Sequence, residues 1–493
     1  MKYALAVSWL FILSLVCYGE VSEAEQRIID RLSTASVPDK EIDLAETSLI
    51  IASTVYSDID TKKYLAKIDE MAQDIRNSLK TELRGKSEQE SIILAINKYL
   101  YKNIKIHAES VIQENSNTGK PIEINRDKFL LNKVLDNLNG NCLGLTTLYW
   151  CLAERLNLPL RAVVIPQHVF LRYYSGEVSY RNIEPTSNGA EISNENYEKK
   201  TRETVSEELK YSFPVKMRFK EFSKEEFIGL ILYNRGVDYL KKRNADKEAM
   251  DDFSNAIKLA PGFADSYKNR GVGYIKTGEY IDAAKDLRQA VRLESDCPIN
   301  LFNLGVAYLN LEEYAEARKN FDLVSELAPD YIDAYLNRGV ASYKLQQFDQ
   351  ALNDFESVIT IKAKEKIEKE NLSKAYYYSG LIYFNMKRYP EAISYYDKAL
   401  EIKQSCDMFH NRGIAYAMLL KYGEAAADME RALESASGKS PKEYADILRN
   451  LGVTYYKLSN YQRSMDALEK YLKLMPDDKE VQVMVDSLSE RLK

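Results

Sequence analysis

Histidine is the scarcest catalytic side chain here: 493 residues include only His107, His168 and His410. Any general base working near neutral pH must come from that short set. Cysteine is sparse as well. Cys17, Cys142, Cys151, Cys297 and Cys406 are scattered, which excludes a disulfide framework and a zinc pattern. Cys142 and Cys151 are nine apart, about half a turn out of phase at ~3.6 residues per turn, so they do not bridge within one helix. There is no excess of positive charge. The formal net charge of -6 argues against nucleic acid as a partner and gives no electrostatic reason to bind anionic lipid. No metal and no organic cofactor is implied.

Apolar residues are plentiful, at 45%, and the chain far exceeds the length at which one core stops growing, so at least two domains are expected. Residues 1–19 read as a secretory signal peptide rather than a membrane span, with Lys2 ahead of an apolar stretch from Ala4 to Val16 and cleavage between 19 and 24. Cys17 is a candidate lipid anchor, although Ser14-Leu15-Val16 makes a poor lipobox. Helical spacing follows over 24–32, 41–56, 63–79 and 88–101, with Tyr64, Ile68, Met71 and Ile75 as one apolar stripe. Residues 103–126 are polar, with a turn at 117–121, and read as a surface loop. A short helix over 128–138 leads out of it.

Asn139-Gly140-Asn141 has a turn composition, and Leu145, Leu148, Leu152 and Leu156 after it recur at helical spacing. Cys142 therefore stands at a helix N-terminus, where unpaired N–H groups and the helix dipole favour a thiolate. Leu158-Pro159 ends that helix. Three strands are expected next: 160–165, 168–174 beginning at His168, and 178–184 ending at Glu184 before Pro185. A cysteine on a helix, a histidine at one strand's start and a carboxylate at another's end can converge into a nucleophile, a base and a group that orients the base.

Three segments carry a family resemblance: Phe129 to Leu135 leading to Gly140-Asn141-Cys142-Leu143-Gly144-Leu145, then Pro166-Gln167-His168-Val169-Phe170-Leu171-Arg172, then Asn182-Ile183-Glu184-Pro185-Thr186 with Gly189 close behind. Over roughly 57–197 the chain resembles the transglutaminase-like family of the papain-type superfamily. The resemblance implies an α+β fold with Cys142 as nucleophile, His168 as general base and Glu184 orienting the imidazole. The wider superfamily more often has Asp in the third role. No upstream Gln supplies an oxyanion-hole side chain, which leaves that task to backbone N–H groups at the helix start.

From Phe227 the period changes. Gly236, Gly271, Gly305, Gly339, Gly380, Gly413 and Gly452 recur at spacings of 35, 34, 34, 41, 33 and 39, with the longer intervals fitting insertions at 362–370 and 436–441. This resembles the tetratricopeptide repeat, a 34-residue helix-turn-helix unit that stacks into a solenoid. Asn234, Asn269, Asn303, Asn337, Asn411 and Asn450 stand two before six of these glycines, on the face that lines the groove in such repeats. An amide there can both donate to and accept from a bound peptide. Val237, Val272, Val306, Val340, Leu381, Ile414 and Val453 follow the glycines, and this departs from the pattern that grips a C-terminal carboxylate.

The expected organisation is a leader over 1–19, a helical region with an α+β papain/transglutaminase-like domain over 20–222, seven tetratricopeptide repeats forming an all-α solenoid over 228–477, and a capping helix over 478–493. The resemblance implies an exported cysteine hydrolase or acyltransferase acting on peptide or amide bonds, located in the periplasm or cell envelope of a bacterium. Its repeat arm would bind a protein or peptide, with no nucleic acid and no transmembrane span. A non-catalytic envelope scaffold is the alternative.

Overall fold

The computed structural model describes residues 23–34, 37–79, 87–108, 126–176, 179–204, 210–241, 246–362, 369–436 and 438–492. The expected leader, Cys17, the turn at 117–121 and most of the insertion at 362–370 lie outside them. The described chain divides into two compact units between Asn303 and Leu304.

The first unit opens with α1 (Glu23–Thr34), α2 (Leu44–Val55), α3 (Thr61–Leu79) and α4 (Glu88–Asn97), the last running into a wider π-type turn over Lys98–Asn103. Residues expected to be loop instead include a two-residue strand β1 (His107–Ala108). The helix expected over 128–138 is a 3-10 turn at Arg126–Phe129 followed by α5 (Leu131–Asn137). Then come β2 (Asn139–Gly140), parallel to β1, and α6 (Cys142–Arg155). The expected strands are present as β3 (Leu160–Ile165), β4 (His168–Tyr174) and β5 (Tyr180–Glu184). They are joined by β6 (Ala190–Glu191), α7 (Asn194–Thr204) and β7 (Lys220–Phe222), giving an antiparallel sheet in the order β6-β5-β4-β3-β7.

Both faces of this sheet are covered. Ala162, Val169, Leu171 and Ile183 enter the large core around α6, while Val163, Ile165 and Phe170 pack with Tyr197 of α7 on the other side. That division follows from the two-residue side-chain period of a strand. Thr146 in α6 donates to the Val169 carbonyl at 3.3 Å, fixing the helix against β4.

Repeat helices follow in pairs: α8 (Lys224–Lys241) with α9 (Asp246–Leu259), then α10 (Ala264–Thr277) with α11 (Tyr280–Leu293). The compact unit thus continues past the border expected near 222–228. The reason is burial. Phe227, Ile228, Ile231, Ala256 and Leu259 share the core of α6, and Phe227 meets the Trp150 ring edge-on at 5.2 Å. Arg235 is wholly buried between two carboxylates, at 2.5 Å from Glu25 of α1 and 2.6 Å from Asp252 of α9. It also donates to the Ile51 carbonyl at 3.2 Å and to the Thr54 hydroxyl.

The chain continues through α12 (Pro298–Asn310), and the second unit holds α13 (Tyr314–Leu327), α14 (Ile332–Lys344), α15 (Phe348–Lys362), α16 (Lys369–Asn385), α17 (Tyr389–Ile402), α18 (Cys406–Met418), α19 (Tyr422–Glu434), α20 (Pro441–Lys457) and α21 (Tyr461–Leu474). The array ends in α22 (Lys479–Arg491). Within the unit an Arg on the first helix of a pair bridges to its own second helix and to the one before. Arg338 reaches Asp354 at 2.7 Å and Asp322 at 2.9 Å, and Arg412 reaches Asp428 at 2.7 Å and Asp397 at 2.6 Å. In the first unit α1 gives Arg235 the second carboxylate that a preceding repeat gives these arginines. Close helix contact explains the periodic glycine: a Cβ at Gly339 would stand 2.6 Å from the Phe355 ring.

Candidate active site

Cys142 is the first residue of α6, and Asn141 caps the helix by accepting from the Gly144 N–H at 2.9 Å. The Leu145 N–H is taken by the Asn141 carbonyl at 3.0 Å, so helix geometry leaves the N–H groups of Cys142 and Leu143 without an intrahelical acceptor. The glycines around the cysteine serve close packing. A Cβ at Gly144 would fall 2.3 Å from the Lys128 carbonyl oxygen, and the Asn141 N–H donates to that same oxygen at 3.3 Å. The parallel pairing of β1 with β2 sets His107 beside Asn139, so this histidine adjoins the cysteine turn although its own side chain is exposed. Cys142 is half-buried, whereas Cys151, Cys297 and Cys406 are buried. Burial pushes the Cys151 thiol far above its ordinary value, against weaker lowering by Arg155 and Lys224.

His168 follows a two-residue corner. Ile165 pairs with His168 across the hairpin, so Pro166 and Gln167 are the whole loop. Gln167 takes φ +61, which with a proline before it is the order of a type II turn. The His168 Nε2 atom lies 2.5 Å from Oε2 of Glu184. The other ring nitrogen is left for the Cys142 thiol, which is near enough to raise the proton affinity of the imidazole. Burial alone would lower the imidazole pKa. Hydrogen bonds and charge from Cys142 and Glu184 outweigh it and push the value up to about 10.

Glu184 is 1% exposed, and both of its oxygens are occupied. Oε1 accepts from the Thr186 N–H at 2.9 Å and the Thr186 hydroxyl at 2.5 Å, while Oε2 accepts from the Tyr197 hydroxyl at 2.6 Å as well as facing His168. Burial works to raise its pKa, but the His168 contact and charge, with Thr186 and Tyr197, hold it below the ordinary value. The turn after Glu184 is anchored from outside the sheet. Tyr101 donates to the Pro185 carbonyl at 2.8 Å, and Asn97 donates to the Gly189 carbonyl at 3.1 Å while accepting from Tyr149 at 2.9 Å.

The structure therefore joins His168 to Glu184 directly and sets Cys142 near enough to act on the imidazole. Thr186 and Tyr197 complete the site and were not singled out from sequence. Thr186 lay in view two residues after Glu184, but nothing in the polar run Asn194 to Thr204 marks Tyr197. Among the described residues no group of three or more His, Cys, Asp and Glu could hold a metal ion, and no helix is long and apolar enough to cross a membrane.

The six repeat asparagines are placed differently from one another. Asn269 donates to the Tyr233 hydroxyl at 3.1 Å, Asn411 to the Tyr377 hydroxyl at 2.8 Å, and Asn450 lies 2.9 Å from Nε2 of His410, each joining one repeat to the one before. Asn234 and Asn337 donate back to their own helices, to the Leu230 and Asp333 carbonyls, each at 2.8 Å. Asn303 is half-buried in α12. Amide donors read as groove-lining groups thus have partners within the fold in these five cases.

Residues 62–228 match the family model of the transglutaminase-like superfamily. Tetratricopeptide repeat models match 268–332, 332–365, 373–406 and 410–479. A UPF0162 protein of Xylella fastidiosa (strain 9a5c) is 24% identical over 258 residues, which is 52% of this chain and 85% of that protein. Sperm-associated antigen 1 of Homo sapiens is 30% identical over 130 residues, 26% of this chain and 14% of that protein. The crystal structure of a tetratricopeptide repeat protein from Parabacteroides merdae is similar with a TM-score of 0.41 and 16% identity, covering 53% of this chain and 98% of that one. The chain joins a transglutaminase-like domain, residues 62–228, to tetratricopeptide repeats between 268 and 479 that form a protein-interaction arm.

Proposed function

We propose that the first domain is a cysteine acyl-transfer enzyme acting on peptide or side-chain amide bonds of a polypeptide that the repeat arm binds. The observation that carries this reading is the contact of His168 with the buried Glu184, with Cys142 at the start of α6 acting on the same imidazole. His168 takes the thiol proton, and the sulfur attacks the amide carbonyl carbon. The oxyanion is met by the N–H groups at the start of α6. The imidazolium then gives its proton to the departing nitrogen as the C–N bond breaks, leaving a thioester on Cys142. Water or an amine attacks the thioester, losing a proton to His168, and the thiol is regenerated. Water as acceptor makes the enzyme a peptidase or amidase, and an amine makes it a cross-linker. The apolar leader from Ala4 to Val16 supports export to the periplasm or cell envelope as the place of action.

Alkylation of Cys142 by iodoacetamide, followed against pH in the native chain and in His168→Ala, tests the site. The expected result is alkylation near neutral pH that is largely lost without His168. Alkylation that is the same with and without His168 sinks the catalytic reading and leaves a binding scaffold. Fractionation of cells expressing the full chain tests export, and recovery in the cytoplasm with an uncleaved leader removes it.

A further inference from the structure

Glu184 is one methylene longer than the Asp that more often orients the imidazole in this superfamily, so one more side-chain torsion must be held for its carboxylate to stay against His168. Thr186 holds Oε1 from within the same turn, two residues on. Oε2 has a donor from a separate element, the Tyr197 hydroxyl at 2.6 Å. The Tyr197 ring is 3% exposed and lies flat on Phe170, with centroids 4.1 Å apart and planes 9° apart, and its centroid is 5.8 Å from that of His168. One side chain thus touches the carboxylate, the strand that carries the histidine and the histidine's own face.

Helix α7 is fixed where Tyr197 needs it. Asn194, its first residue, accepts from Arg172 of β4 at 3.1 Å and from Asn182 of β5 at 2.9 Å, so the helix is tied to the two strands that bear His168 and Glu184. Arg172 is buried and continues to Asn182 at 2.9 Å and Glu221 at 2.9 Å. The anchor therefore reaches across the sheet to β7.

We infer that Tyr197 is a positioning residue: its hydroxyl shares Oε2 of Glu184 with His168 and sets the orientation and protonation range of the Glu184–His168 pair. The inference deepens the proposed function and rests on it only for the consequence at Cys142. The groups facing Glu184 are His168 from β4, Thr186 from its own turn, Tyr197 from α7 and Tyr101 from the turn after α4, with Cys142 reached through His168 and Arg172 acting on Tyr197. Burial and the charge of Glu184 push the Tyr197 hydroxyl far above its ordinary value, which keeps it a donor at every pH of interest. As a donor it stabilises the carboxylate form, so its removal makes Glu184 easier to protonate.

Tyr197→Phe removes the hydroxyl and keeps the ring on Phe170. With only three histidines in the chain, the His168 ring can be followed by NMR through a pH titration of the full-length protein. The acid-side step in the His168 shift, which reports protonation of Glu184, is expected to move to higher pH in Tyr197→Phe while His107 and His410 stay where they were. Alkylation of Cys142 near pH 7 should fall several-fold as the imidazole loses its fixed orientation. A His168 titration that superimposes on the native one overturns the inference and leaves Tyr197 as packing alone. If the variant does not fold, the native protein still decides: the Tyr197 hydroxyl proton should give a slowly exchanging low-field signal that disappears in Glu184→Gln. A signal unaffected by that change also overturns the inference. Should His168 shift as expected while Cys142 reactivity ignores His168→Ala, the acyl-transfer reading fails and the linkage of Tyr197 to Glu184 stands.

Discussion

Asp252 and Glu184 are both almost entirely buried in the first unit, and they keep opposite company. Asp252 is locked to the guanidinium of Arg235, which Glu25 holds from its other side, while Glu184 faces an imidazole and otherwise neutral hydroxyl and N–H donors. Burial pushes the Asp252 carboxyl up to about 6 in spite of Arg235, whereas Glu184 lies below its ordinary value. An arginine does not release its proton in a protein, so the first arrangement can only hold the fold. A histidine can exchange its proton, so the second can move charge. The difference separates a structural ion network from a site able to do acid-base work, although both are buried charge.

Breaking the structural side should have the largest effect. Arg235→Ala leaves Glu25 and Asp252 buried without their cation and should lower the unfolding free energy by about 3–5 kcal/mol in a urea titration. The same change at Arg338, which is less buried, should remove about 1.5–3 kcal/mol. Equal losses at the two positions would erase the contrast between a buried triad and a repeat bridge.

On the other side, Gly144→Ala brings a Cβ against the Lys128 carbonyl and should destabilise by about 1–3 kcal/mol, with slower alkylation of Cys142 as the start of α6 is displaced. Unchanged melting and labelling would show that the 126–129 turn gives way freely. The titrating pair should show itself as a smaller, pH-dependent term. His168 is raised from 6.5 to about 10, so its stabilisation is full below pH 6.5 and fades as pH rises towards 10. Glu184 is lowered from 4.5, so its share is full above 4.5 and is lost as pH falls through the lowered value. The stability difference between the native chain and His168→Ala should therefore peak between 4.5 and 6.5 and shrink toward pH 10. A flat difference would mean that the pair does not titrate as a unit. The least effect is expected from Asn411→Ala, which removes one amide bond to Tyr377 and should cost about 1 kcal/mol.

The parts legible in the sequence were those written locally. Cys142, His168 and Glu184 stand in short motifs at element boundaries, and the repeats announce themselves by period, so helix pairs, three strands and the pairing of His168 with Glu184 could be read without coordinates. What escaped depends on contacts remote in sequence or on elements too short to show a pattern. β1, β2 and β7 are two or three residues long, and no strand periodicity fits in that length. Tyr197 sits in a polar helical run whose neighbours say nothing of Glu184. The extension of the first unit to Asn303 depends on packing such as that of Arg235 against Glu25, 210 positions away. The repeat asparagines were legible as a column, but the partners of Asn269, Asn411 and Asn450 were not, because the tyrosine or histidine that engages each belongs to another repeat.

The corner at Pro166 and Gln167 has a consequence for how this chain can change. With two loop residues and Gln167 already at φ +61, the hairpin has no slack, and alternate residues of a strand face opposite ways. Inserting or deleting one residue there would turn His168 toward the α6 core and Val169 toward α7, exchanging the sheet's two sides at a stroke. Substitution at this corner is survivable wherever the backbone can still bend, but a change of length is not. The number of residues between β3 and His168 is thus what the placement of the histidine depends on, whatever residues fill it.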